Sequence, residues 1–142
     1  MTKPSLIILV CGASLASAAP TMAAMVELQA DLKASNEVPP NESTGTGSVT
    51  ATFDTDNNKL SWKGAVSGLS GPVTAAHFHA AEAGRNGAVA VVISGVDKGS
   101  FEGSATLTDP QAEDLIAGKW YVNIHTATHK AGEIRGQVKK CG

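Results

Sequence analysis

The sequence predicts an all-β domain: an antiparallel two-sheet sandwich of about eight strands, in Greek-key order, with one short helix near residues 109–117. Three observations predict it. Apolar residues recur at every second position through most of the chain, the mark of half-buried strands. Fifteen glycines and several runs of turn formers separate these stretches. Only one segment has helical spacing instead, so inward residues of two sheets are expected to make the core.

The first residues are a separate matter. Met1-Thr2-Lys3-Pro4 carries one positive charge, an apolar run follows from Leu6 to Leu15, and small residues continue through Ala24. This is the layout of a secretory signal peptide, and roughly ten apolar residues are too few to span a bilayer as a helix. The expected organisation is therefore a signal peptide over 1–24, cleaved between 18 and 24, and a single domain over 25–142. An exported protein follows, periplasmic or secreted, with no membrane attachment once the signal is removed. Val10 stands where a lipoprotein signal needs a small residue before Cys11.

The strands come in order. Leu28, Ala30 and Leu32 alternate in the first, Val49, Ala51 and Phe53 in the second, and Leu60, Trp62 and Val66 in the third. Asp54-Thr55-Asp56-Asn57-Asn58 between the last two is a run of turn formers, so these two strands should form a hairpin. Further strands are expected at Ala75–Ala80, Ala88–Ser94, Ser100–Leu107, Trp120–Thr126 and Glu133–Lys139. Thr108-Asp109-Pro110-Gln111 opens the helix: Pro is tolerated in the first turn, and Thr-x-x-Gln is a capping box. Ala112, Leu115 and Ile116 then recur at helical spacing before Gly118.

Charge and cysteine content exclude several classes. The whole chain has 11 Lys and Arg against 13 Asp and Glu, and loss of Lys3 with the signal takes the net charge from −2 to −3. No basic patch or charge run points to nucleic acid or an anionic membrane. Of the two cysteines, Cys11 would leave with the signal, so Cys141 is expected as a lone terminal thiol and stability must come from packing. Phosphate-binding, serine-hydrolase and His-Glu-x-x-His signatures are absent.

The four histidines fall in two groups, His77-Phe78-His79 and His125-Thr126-Ala127-Thr128-His129. Two histidines one residue apart on a strand share a face, about 7 Å apart, as a chelating pair requires. Phe78 should point inward, and nothing about packing demands two imidazoles beside it. On the second strand Asn123 and His125 share the face opposite Val122 and Ile124. If the two strands are neighbours, three imidazoles converge, and three nitrogen ligands with an open fourth position suit zinc or copper. His129, in the following turn, is a fourth ligand or a solvated loop residue. Glu82 or Glu133 could assist. Met25 and Cys141 are remote from the histidines, so a thiolate or Met-rich copper site is not expected. Glu133 and Arg135 share a face of the last strand, where a structural pair covering a sheet edge is favoured over a role beside an imidazole; Gly87 and Gly136 read as turns or close backbone approaches.

Six segments occur in an order that resembles the CHRD domain, named after chordin: Glu37-Val38-Pro39-Pro40, Ala75-Ala76-His77-Phe78-His79, Gly84-Arg85-Asn86-Gly87, Leu115-Ile116-Ala117-Gly118, Tyr121-Val122-Asn123-Ile124-His125-Thr126 and Gly132-Glu133-Ile134-Arg135-Gly136-Gln137. The likeness runs from about Leu28 to Val138. In chordin the domain accompanies modules that bind secreted growth factors, and in bacteria it occurs as small exported proteins. The resemblance carries the His-x-His pair over to His77 and His79, and the Asn-x-His-Thr histidine to His125; at His129 the family more often has Asn or Pro. The His-x-His strand is also similar to that of copper–zinc superoxide dismutase sandwiches, by analogy only, and a dismutase-like sandwich is the alternative to Greek-key order.

The first expectation for function is thus a non-enzymatic, exported protein that binds copper or zinc through His77, His79 and His125, with His129 as an additional candidate. The alternative is an extracytoplasmic interaction module that binds another exported protein and whose histidines are structural. A third reading is a mononuclear copper redox enzyme.

Overall fold

The computed structural model describes residues 24–142. The expected signal segment lies outside them but for its last residue. Among these residues the strands are β1 Met25–Lys33, β2 Thr46–Asp54, β3 Lys59–Ser67, β4 Val73–Ala80, β5 Ala88–Val92, β6 Ser100–Thr106, β7 Trp120–Thr126, β8 Ile134–Gln137 and the two-residue β9 Lys139–Lys140, with one α-helix, α1, over Asp109–Ile116 and two short 3-10 turns over Ala34–Asn36 and Val96–Lys98. All expected strands form. The last is split at Val138, whose amide turns to the Trp120 carbonyl while β9 continues along β1.

The sandwich expectation is corrected. All strands belong to one antiparallel sheet in the order β5-β4-β7-β8-β1-β2-β3-β6, curled into a nearly closed barrel. Period-two alternation says only that one face of each strand is buried, a condition a barrel and a sandwich meet equally. What distinguishes them here is the Ile93–Gly99 connection. Ile93 donates to the Ala76 carbonyl on β4, Val66 on β3 donates to the Gly99 carbonyl, and the buried Val96 plugs the space between the two edges. Hydrophobic burial closes the seam where backbone pairing does not.

Inside lie Leu28, Leu32, Val49, Phe53, Leu60, Trp62, Phe78, Phe101, Trp120, Val122, Ile124 and Ile134. Phe78 sits between Trp62 and Trp120, with ring centroids 5.1 and 5.5 Å away. The predicted hairpin holds in full register from Asp54↔Lys59 to Thr46↔Ser67. Thr108 and Gln111 form the reciprocal capping box, and Leu115 anchors α1 to the core.

Gly136 is a close approach, as expected: a Cβ there would run into the Asp31 carbonyl of β1. One reading of the sequence fails at the C-terminus. Among the described residues no cysteine is free, and Cys141 is disulfide-bonded rather than a lone thiol.

Candidate metal centre

Strands β4 and β7 are neighbours, with Ala75 opposite His125, His77 opposite Asn123 and His79 opposite Tyr121. Because Phe78, Val122 and Ile124 take the inward positions, His77, His79, Tyr121, Asn123 and His125 all lie on the outer face. A register irregularity in the β4–β5 pairing falls between Phe78 and His79. Bulges of this kind re-aim a side chain, and here the ring of His79 reaches over to the Gly87 carbonyl.

The three imidazoles do converge. Ring centroids are 5.2 Å apart for His77 and His79, 5.1 Å for His77 and His125, and 6.3 Å for His79 and His125. One nitrogen from each lies within 4.8 Å of the others. His129 is not in this group. Its backbone serves the 126–132 turn, donating to Thr126 Oγ1 and accepting from the amides of Thr126 and Gly132.

The second partners of the rings matter as much as the rings. His125 Nδ1 lies 2.8 Å from the Lys130 carbonyl, which fixes the proton there and leaves Nε2 with its lone pair. That Nε2 is buried without a hydrogen-bond partner, and so is His77 Nδ1. His79 Nδ1 lies 2.9 Å from the Gly87 carbonyl and its Nε2 lies 2.9 Å from Asn123 Oδ1. Burial lowers the pKa of His77, helped by the neighbouring His125 and His79. Burial also lowers that of His79, outweighing its two hydrogen bonds, with His125 and Arg135 acting in the same direction. Neutral imidazoles are the form that ligates metal.

A roof covers one end of this outer face. Tyr121 lies flat on His79 and its hydroxyl accepts from the Gly87 amide at 3.1 Å. Arg135 lies over the other side of Tyr121 and donates to Asn86 Oδ1 at 2.9 Å and to the Arg85 carbonyl. Arg135 is therefore a clamp on the 81–87 loop rather than one half of a pair with Glu133. Glu133, fully buried, instead accepts from Ser43 Oγ, Ser70 N, Ser70 Oγ and Thr126 Oγ1. Burial pushes its pKa up, and these donors outweigh that to hold it near 2. It ties three loops together and is not available as a ligand.

Tyr121 and Asn123 are the residues whose part in the site the histidine pattern alone did not single out. Their signal was the alternation Tyr121-x-Asn123-x-His125, which places polar groups on one strand face beside the chelating pair. Glu37 was seen only as part of a Glu-Val-Pro-Pro segment. Its burial against Asn123 is a tertiary fact.

The donor set suits a cation: three imidazoles, two with orphaned buried nitrogens. No curated protein and no solved structure matches the chain. The family model for the CHRD domain matches residues 28–138, a span that contains every residue of the cluster, and the chain therefore belongs to the CHRD-domain family.

Proposed function

We propose that this protein binds one divalent cation, copper(II) or zinc, through His77, His79 and His125, as an exported non-enzymatic metal-binding protein. The observation that supports it best is the pair of buried, partnerless nitrogens, His77 Nδ1 and His125 Nε2, in a cluster whose ring nitrogens lie within 4.8 Å of one another. Leaving a buried acceptor unpaired costs about 1–3 kcal/mol, and a bound cation would remove that cost for both. The all-nitrogen set favours copper(II) or zinc over softer or harder ions. Export rests on the signal-like segment at the start of the chain.

Isothermal titration of copper(II) and zinc into the wild type and His77→Ala/His79→Ala tests the reading. Saturable one-site binding by the wild type and its loss in the variant is expected. Equal, weak binding by both would end it.

A second reading, an interaction module for another exported protein, draws on β5. This edge strand exposes Val89 and Val92, at 50% and 63%, beside His77. Capture of a partner that ignores chelator and survives the histidine substitutions would favour it.

A further inference from the structure

The three rings of the cluster are not equally free. His77 Nδ1 and His125 Nε2 are buried and partnerless, whereas both nitrogens of His79 are taken, Nδ1 by the Gly87 carbonyl and Nε2 by Asn123 Oδ1, each at 2.9 Å. The third ring is already engaged.

Its two engagements differ in what holds them. Gly87 is fixed backbone: its amide donates to the Tyr121 hydroxyl, and a Cβ there would run into the Ala80 carbonyl. Asn123 offers only a side chain, from the β7 position opposite His77. An ion displaces the side chain at the cost of one hydrogen bond, whereas displacing Gly87 means moving the chain. Exchange at Nε2 also gives His79 the arrangement that His125 has already, with a carbonyl behind Nδ1 and Nε2 left for the ion.

The conclusion is the same whichever way round the amide sits. With its oxygen toward the ring, Nε2 carries the proton and has no lone pair to give; with its nitrogen there, an amide N–H occupies that lone pair. Nε2 ligates only after Asn123 has let go, with the one ring proton then on Nδ1, where the Gly87 carbonyl accepts it.

Resting on the metal reading above, we propose that Asn123 is a latch on the site: an incoming ion is taken first by His77 Nδ1 and His125 Nε2, and gains His79 Nε2 only by displacing the Asn123 side chain. Asn123 touches no ion itself. It makes the site weaker than three unencumbered imidazoles would be, which suits a site that gives its ion up again.

Isothermal titration of zinc into Asn123→Leu tests this, because leucine has nearly the shape of asparagine and neither of its polar atoms. With no hydrogen bond to exchange, zinc affinity is expected to rise about threefold to tenfold, the worth of one neutral hydrogen bond. A residue that merely supported the site would lower it. In the His79→Ala background Asn123→Leu should change affinity no further, since the latch acts only through that ring. Long-range 15N–1H spectra of the wild type need no substitution: on zinc loading the His79 proton should sit on Nδ1 and Nε2 should take a metal-bound shift. Equal or weaker binding by a folded Asn123→Leu, or His79 nitrogens that do not move when zinc saturates the wild type, overturns this inference alone. A wild type that binds neither zinc nor copper(II) ends the metal reading beneath it.

Discussion

The rings of His79 and Tyr121 are stacked with planes 3° apart and centroids 4.8 Å apart, and the guanidinium carbon of Arg135 lies 3.5 Å from the centre of the tyrosine ring. Three side chains from three adjacent strands, β4, β7 and β8, thus form one column on the outside of the barrel. Arg135 holds it at both ends, through the tyrosine face and through the loop that carries Gly87.

Arg135→Lys is the sharpest test of that column. A lysine keeps the charge but has neither the flat face for Tyr121 nor the fork for Asn86 and Arg85. We expect a loss of about 2 kcal/mol in urea unfolding, the worth of a charge-assisted hydrogen bond. An unchanged midpoint would mean that the stack is incidental.

Gly136→Ala probes the barrel at its tightest crossing. The added methyl would meet the Asp31 carbonyl, which is backbone and cannot swing aside, so β8 and β1 must part. Destabilisation of about 2 kcal/mol or more is expected. Calorimetry would show it as a lower Tm, and native stability in the variant would contradict the strand order across this pair.

Glu133→Gln replaces a carboxylate that accepts from two serines, a threonine and a backbone amide. Half of the new terminal group is itself a donor facing donors, so a cost on the order of 3 kcal/mol is expected. The depressed pKa adds a sign. Folding holds this acid ionised to about pH 2, so its contribution is complete above 4.5 and is lost as pH falls toward 2. Wild type should show that acid limb in its unfolding midpoint, and the variant should lack it.

How much of this was legible beforehand follows from what each pattern encodes. Alternation located the strands, and the Thr108–Gln111 box located the helix, because both are local consequences of backbone geometry. The His-x-His spacing placed two rings on one face for the same reason. Adjacency of β4 and β7 is not local, and the sequence could state it only as a condition. Closure of the sheet depended on Ile93 and Val96 filling a seam, which no period reveals. The burial of Glu37, Arg135 and Glu133 was hidden most completely, since charged residues read as surface until loops are seen to fold over them.

The metal-free protein should also show two opposed titrations in one pH window. His77 and His79 have pKa values below the ordinary 6.5, so their neutral, folded forms contribute stability above 6.5 that is lost as pH falls below it. Glu37 is the reverse: burial, only partly offset by Arg135 and the Asn123 amide, raises it from 4.5 to about 7, so its contribution is complete below 4.5 and is lost as pH rises toward 7. Between these limits the two contributions run in opposite directions with pH in the wild type. Glu37→Gln removes one side, and its stability should fall as pH drops from 6.5 to 5. His77→Ala/His79→Ala removes the other, and its stability should rise over the same descent. Profiles that run parallel in all three proteins would show that neither the buried acid nor the paired imidazoles change protonation on folding.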